Sequence, residues 1–231
     1  MAARGVSLVV VLSGLCAAST GVAHAGTVSG KLDLPPRPAR AAAEPKGFLD
    51  RVENPYKPAA DVAVAPFMIV VLEGDAKPAA PPQVTWELAG ESFLRPVLGV
   101  PANAEVVIKN TSKTARALAA VEDAKLIPPG PINPNGPRSF HVPEAGKVYT
   151  VRDSEAPHLK GTLVVVATPF ISAVDDANHF EFTDVPEGSY RLRVFYKDGW
   201  LDVDQAVTVP AKGKAEVVNP KVPAFAPGAK K

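Results

Sequence analysis

Twenty-five prolines are spread along the whole 231-residue chain, and they restrict its fold more than any other feature. Proline has no backbone N–H and breaks the interior of a helix, so long helices are excluded over most of the sequence. Between the prolines lie short, Val-rich segments in which apolar and polar residues alternate. This pattern predicts an all-β protein built from sandwiches.

The alternation predicts ten strands. They cover residues 27–34, 67–72, 83–88, 93–100, 105–109, 147–151, 162–167, 180–183, 190–196 and 206–209. Two Pro-rich stretches are predicted as loops: residues 35–60, with one helical turn at 48–52, and the irregular surface loop 127–137. Residues 219–231 are predicted to be a disordered tail.

Two turn signals stand near the C-terminus. The predicted strands 180–183 and 190–196 flank the sequence VPEG at 185–188, where Pro186 fits the second position of a type I turn. Asp198 and Gly199 then form a hairpin signal that leads into the next strand.

The first 25 residues have the pattern of a cleaved signal peptide. Arg4 precedes a mostly apolar stretch, 6–15, and Ala23-His24-Ala25 supplies the small-x-small cleavage pattern. The stretch is shorter than the roughly 20 residues that span a bilayer. Lipidation at Cys16 is an alternative, although Leu15 is not the small residue that this reading needs. We therefore expect cleavage after Ala25 and a periplasmic or extracellular protein.

Charge and composition narrow the classes of function. The formal net charge of the chain is +1, and removal of Arg4 with the leader would bring the net charge to zero. A protein without excess positive charge is not expected to bind nucleic acid. No later segment is apolar enough for a transmembrane span. Cys16 is the only cysteine, so we expect no disulfides in the mature protein. The motifs of common hydrolases, phosphate-binding loops and zinc proteases are missing, and a non-enzymatic protein is expected.

Two separate parts of the chain resemble one small domain family. Residues 26–30 (GTVSG), 69–72 (IVVL) and 176–192 (DANHFEFTDVPEGSYRL) follow in order the pattern of the carboxypeptidase regulatory-like domain. That resemblance implies a small transthyretin-like β-sandwich formed by residues 26–75 and 169–218.

The intervening residues 82–168 resemble a cupredoxin, specifically the plastocyanin-like methylamine utilisation proteins. The similarity rests on SFLRP at 92–96, VPANAEV at 100–106, Lys109-Asn110, VYTV at 148–151 and GTLVVV at 161–166. It implies a second β-sandwich, inserted between the two parts of the first. A cupredoxin followed by a separate sandwich is the alternative arrangement.

The copper ligands of the cupredoxin family are replaced here. A blue-copper site needs two imidazoles, one thiolate and usually an axial Met. The resemblance puts Arg116 at the first His and Asp153 at the Cys. In the same loop, Ala156 stands at the second His and Leu159 at the Met. The resemblance therefore implies a degenerate cupredoxin that holds no blue copper and has no cofactor.

Arg116 and Asp153 carry opposite charges at positions that would share one metal. We hypothesise that they form a salt bridge that cross-links the two loops in place of the metal. The alternative is two unrelated, solvated charges.

Two functions remain open from the sequence. The first is a non-catalytic binding or structural protein whose partner is a protein or a glycan at the cell envelope. Glycan binding would be favoured if Trp86 and Trp200 shared an open face, and protein binding by a contiguous apolar patch. The second is a periplasmic metal-handling protein with a copper or zinc site of histidine and carboxylate ligands near His158.

Overall fold

The computed structural model describes residues 26–35, 64–75, 82–210 and 216–223. The expected signal peptide, Cys16, most of the loop 35–60 with its helical turn, and the end of the expected tail lie outside these residues.

The described residues form fifteen β-strands and one short 3-10 turn, Ala65–Phe67, so the prediction of an all-β fold is confirmed. The strands belong to four sheets, named here in their order of stacking. Sheet 1 has the order β12 (His179–Val185), β1 (Gly26–Lys31), β15 (Glu216–Val218). Sheet 2 has the order β11 (Ile171–Ala173), β2 (Met68–Glu73), β13 (Gly188–Tyr196), β14 (Gly199–Val209). Sheet 3 has the order β5 (Val97–Pro101), β10 (Lys160–Val166), β9 (Val148–Asp153), β7 (Leu118–Ala120). Sheet 4 has the order β4 (Ser92–Phe93), β3 (Gln83–Ala89), β6 (Glu105–Asn110), β8 (Pro137–His141).

Three apolar layers hold the four sheets together. One core lies between sheets 1 and 2, and a second lies between sheets 3 and 4. A third, smaller layer joins sheet 2 to sheet 3 and contains Ile69, Val71, Val164, Val166 and Phe195; we call it the junction layer. Because both faces of β2 and of the second half of β10 are covered, residues 68–72 and 163–166 are continuous apolar runs rather than alternating ones.

The strand pairing crosses long stretches of sequence. β1 pairs with β12 and β15, and β2 pairs with β11 and β13, so residues from both ends of the described chain build sheets 1 and 2. Sheets 3 and 4 are built entirely from the residues between them. Each contains one parallel pair, β5 with β10 and β3 with β6, and the connection between such strands must cross over.

Several local predictions were wrong. The single strand expected over 93–100 is two strands, β4 and β5, in different sheets, because the chain crosses between them at Arg95 and Pro96. The loop 127–137 was expected at the surface, yet it buries Ile127 and Ile132 in the core between sheets 3 and 4. The prediction that disorder begins at residue 219 was wrong for residues 219–223, which the structure describes. Val222 is buried, and its N–H donates to the carbonyl of Asp33 at 2.9 Å.

The two turn signals have different outcomes. β13 and β14 form the hairpin predicted at Asp198-Gly199, with Tyr196 opposite Gly199. β12 and β13 do not pair; the turn at 185–188 carries the chain from sheet 1 to sheet 2. No helix among the described residues has the length and apolar character needed to cross a membrane.

Candidate functional site

The loop after β6 is organised by one buried amide side chain. Asn110 is 0% exposed, and its Nδ2 donates to the carbonyls of Thr114 and Ile132 at 2.8 and 2.9 Å. Its Oδ1 accepts from the backbone N–H of Ser112 at 3.0 Å and from the Ser112 hydroxyl. This network gives the loop partners that no strand supplies, and it sets the path of the chain towards Arg116.

The position of Arg116 is fixed by two backbone hydrogen bonds to Ile132. Its N–H donates to the carbonyl of Ile132 at 3.1 Å, and its carbonyl accepts from the N–H of Ile132 at 2.8 Å. Its Nη2 donates to the carbonyl of Gly90 at 3.2 Å. The Pro-rich loop 127–137 therefore holds the backbone of Arg116 in place through hydrogen bonds with Ile132.

Asp153 closes the loop between β9 and β10. Its backbone N–H donates to the carbonyl of Leu159, and the N–H of Leu159 donates to the carbonyl of Ala156. The Asp153 Oδ1 accepts from the backbone N–H groups of Glu155 and Ala156 at 2.8 and 3.3 Å. The carboxylate thus caps the turn that follows it.

The structure brings Arg116 and Asp153 together. Nη1 of Arg116 lies 3.7 Å from Oδ2 of Asp153, and the side chains are 12% and 1% exposed. Asp153 Oδ2 and Arg116 Nε are both buried, and neither has a hydrogen-bond partner among the described residues. The contact is therefore an ion pair at a distance beyond hydrogen bonding, in a site that water does not screen well.

The residues around this pair do not fit a blue-copper ion. Ala156 and Leu159 are buried and apolar, so they offer neither an imidazole nor a thioether. A guanidinium carries a permanent positive charge and cannot ligate a cation, and Asp153 supplies hard oxygen in place of soft sulfur.

His158 lies on the same loop but points to solvent. Its Nε2 is 3.5 Å from Oε2 of Glu91, and the side chains are 62% and 76% exposed. His141 is exposed on β8, and His179 pairs with Asp175 at 3.7 Å. Across residues 26–35, 64–75, 82–210 and 216–223, no three His, Cys, Asp or Glu side chains are grouped closely enough to hold a metal ion.

The two tryptophans do not share an open face. Trp86 is 1% exposed in the core between sheets 3 and 4, where it stacks on Phe93 with ring centroids 4.0 Å apart. Trp200 is partly exposed beside the junction layer, and the Arg193 guanidinium lies 4.2 Å above its ring. The aromatic platform considered for glycan binding is not formed.

Two residues with structural roles here were missed in the sequence. Glu91 reaches His158 from a different sheet, and nothing in its local sequence marks it. Arg138 donates to the carbonyls of Pro128, Pro129 and Pro131 at 2.9–3.0 Å. Prolines leave carbonyls without neighbouring N–H donors, so a loop with five prolines is itself a signal for a donor such as arginine.

Comparisons with known proteins give a likeness only among solved structures. No family model matches the chain, and neither does any curated protein sequence. A purple cupredoxin from Nitrosopumilus maritimus is 17% identical and has a TM-score of 0.32, covering 36% of this chain and 98% of that one. A reduced copper(I) mutant and an oxidised mutant of amicyanin are 17% and 18% identical. Each has a TM-score of 0.32 and covers 42% of this chain and 97% of its own.

Proposed function

We propose that this protein is an exported, non-catalytic binding protein in which an ion pair, Arg116–Asp153, stands where a cupredoxin would hold copper. The observation that carries the proposal is the burial of that pair. Asp153 is 1% exposed and faces a guanidinium, and two backbone amides occupy its other oxygen. The side chains at the positions that a copper protein would use for metal ligands here contact each other.

The strand arrangement supports a cupredoxin-like origin for residues 82–168. Two four-stranded sheets enclose one core, and Arg116 and Asp153 precede and end neighbouring strands at one end of it. The chain from Gly26 onwards has no cysteine, so no thiolate is available for a blue-copper centre. The transthyretin-like assignment of sheets 1 and 2 rests on the sequence resemblance and on the pairing of β1 and β2 with strands from the C-terminal third.

A binding role fits this architecture of stacked sheets. Loops and clefts at the junction of two sandwiches are common places for ligands. Export is supported by the leader pattern, in which cleavage after Ala25 would leave Gly26, the first residue of β1, at the N-terminus.

The test compares the native protein with the His158→Ala variant in copper(II) and zinc(II) titrations, using protein prepared without a histidine tag. We expect equal and weak affinity in both. A stoichiometric metal site that His158→Ala abolishes would overturn the proposal in favour of metal handling. Mass spectrometry of the protein from the periplasmic fraction tests export, and a mass that begins at Gly26 is expected. Absence of the protein from the periplasmic fraction, with the leader intact on the cytoplasmic protein, would contradict the proposed export.

A further inference from the structure

A cleft of about 340 Å³ lies at one end of the junction layer. The side chains that face this layer continue towards the cleft along each strand. On β10, Val166 and Val164 are followed on the same face by Thr162 and Lys160. On β13, Phe195 is followed by Lys197 just beyond the end of the strand. The layer therefore changes from apolar to basic where it reaches solvent.

The walls of the cleft are apolar. Phe67 and Val97 belong to the junction layer or pack against it, and Pro96 adds a third apolar surface. A space of this size, with apolar walls and a few polar groups at its mouth, has the usual character of a small-molecule site at a boundary between domains.

Lys197 is held at the mouth by its backbone. It occupies a left-handed conformation, with φ of 52°, at the first position of the β13–β14 loop. Its N–H donates to the carbonyl of Phe67 at 3.0 Å. Its Nζ lies 5.6 Å from the centre of the Phe67 ring and 5.2 Å from that of Tyr196. The left-handed backbone conformation, which lysine rarely adopts, thus places the ammonium group beside the Phe67 ring in the wall of the cleft.

Lys160 adds a second cation from the other sandwich. It stands at the start of β10, opposite Arg152 on β9, so the rim on this side is basic. Asp198 is the one carboxylate among the lining residues, against two ammonium groups. Within the described part of the chain, neither lysine lies at ion-pair distance from a carboxylate. A ligand with a negative head would supply the missing partner.

A second cleft at the junction, beside Trp200, differs in this respect. Its cation, Arg193, already pairs with Glu73 at 2.8 Å and covers the indole ring. Because Arg193 and Glu73 pair with each other, this second cleft has no unpaired charge among its described lining residues that would attract an ionic ligand.

We infer that the cleft between Phe67, Lys160 and Lys197 binds a small organic anion with an apolar tail, of which a medium-chain carboxylate is the simplest example. The tail would lie against Phe67, Pro96 and Val97, and the carboxylate would accept from both ammonium groups. This inference deepens the proposed function and rests on that function being one of binding. Its test uses residues other than His158, so either claim can fail alone.

The experiment is a calorimetric titration of the purified protein with octanoate and with octanol, which share a tail and differ in charge. We expect octanoate to bind with a dissociation constant below about 1 mM, and at least about tenfold more tightly than octanol. Amide resonances of Val97, Thr162 and Lys197 should shift on addition of octanoate and identify the site.

Three variants separate charge from packing. Lys160→Gln and Lys197→Asn each remove one cation, and asparagine tolerates the left-handed conformation at 197. Each should weaken octanoate binding about tenfold and leave octanol binding and the melting temperature unchanged. Lys109→Gln, an exposed lysine on sheet 4, is the matched control and should change neither. The inference is overturned if octanoate does not bind, if octanol binds equally well, or if the two cleft variants behave like Lys109→Gln.

Discussion

Removing the Asp153 carboxylate should destabilise the protein far more than removing a charge at its surface. At 3.7 Å and an effective dielectric constant near 20, the attraction between Arg116 and Asp153 is about 4 kcal/mol. Two backbone amides that lose their acceptor cost about 1 kcal/mol each. Relief of the desolvation of the carboxylate offsets part of this loss. The expected decrease in the free energy of unfolding for Asp153→Ala is therefore about 3–5 kcal/mol.

A double-mutant cycle separates the ion pair from the cap. Asp153→Asn keeps an oxygen for the amides of Glu155 and Ala156 and removes only the charge, so it should cost about 1–2 kcal/mol less than Asp153→Ala. Arg116→Met leaves a buried carboxylate unpaired and should cost about 3–5 kcal/mol. The double variant Arg116→Met/Asp153→Asn removes both charges. It should be at least about 2 kcal/mol more stable than the sum of the single effects implies.

Urea unfolding at neutral pH measures these differences, provided the dependence on urea is unchanged between variants. For a chain of this size, Asp153→Ala should lower the melting temperature by about 10 °C. The control is Asp204→Asn, which breaks the exposed pair between Arg191 and Asp204 and should leave the stability unchanged within error. A loss below about 1 kcal/mol for Asp153→Ala, or strict additivity in the cycle, would show that the buried pair does not stabilise the fold.

Three further predictions concern packing and pH. The Tyr190 hydroxyl donates to the carbonyl of Pro186 at 2.9 Å, and burial raises the pKa of this phenol. The corresponding stability is complete below the unfolded pKa of about 10 and is lost as the pH rises through the folded value. Tyr190→Phe should therefore cost about 1 kcal/mol at pH 7 and flatten the alkaline decrease in urea stability; an unchanged alkaline slope would contradict this. Gly161→Ala would place a Cβ 2.4 Å from the Trp86 ring and should cost about 1–3 kcal/mol in urea unfolding, whereas Gly199→Ala meets nothing within 4 Å and should be neutral. Equal effects of the two glycine variants would show that the Trp86 contact is unimportant. Phe195→Ala, at a fully buried position of the junction layer, should cost about 3–5 kcal/mol, and calorimetry should still show one transition because both sandwiches share that layer. Two separated transitions in the native protein would contradict the shared layer.

The fold class followed from local pattern, because proline placement and residue alternation act within a few residues of each other. Strand β2 and the second half of β10 were recognisable as continuous apolar runs, 68–72 and 163–166. Strands β7 and β11 were missed because three residues are too few to show a period. Strand β8 begins at Pro137 and carries polar residues, so it lacks the apolar alternation that was used to find strands.

The neighbourhood of Arg116 and Asp153 was predicted through the family resemblance rather than through spacing, since the two residues are far apart in sequence. The contacts that hold these two side chains in place could not be predicted from the resemblance. The contacts of Arg116 with Ile132 and Gly90 depend on how three loops meet in space. The burial of Trp86 likewise depends on the approach of Gly161 from another sheet, where a side chain would collide with the indole.

Rebuilding the ligand set that the resemblance assigns tests whether Arg116 and Asp153 occupy a vacated copper site. The variant carries four substitutions: Arg116→His, Asp153→Cys, Ala156→His and Leu159→Met. If these positions are a vacated copper site, the folded variant should bind one equivalent of copper(II) and show the intense visible absorption of a copper–thiolate bond. The same variant with serine at position 153 should not show it. A folded variant that binds no copper, or binds it without that absorption, would show that these four positions are not a vacated copper site.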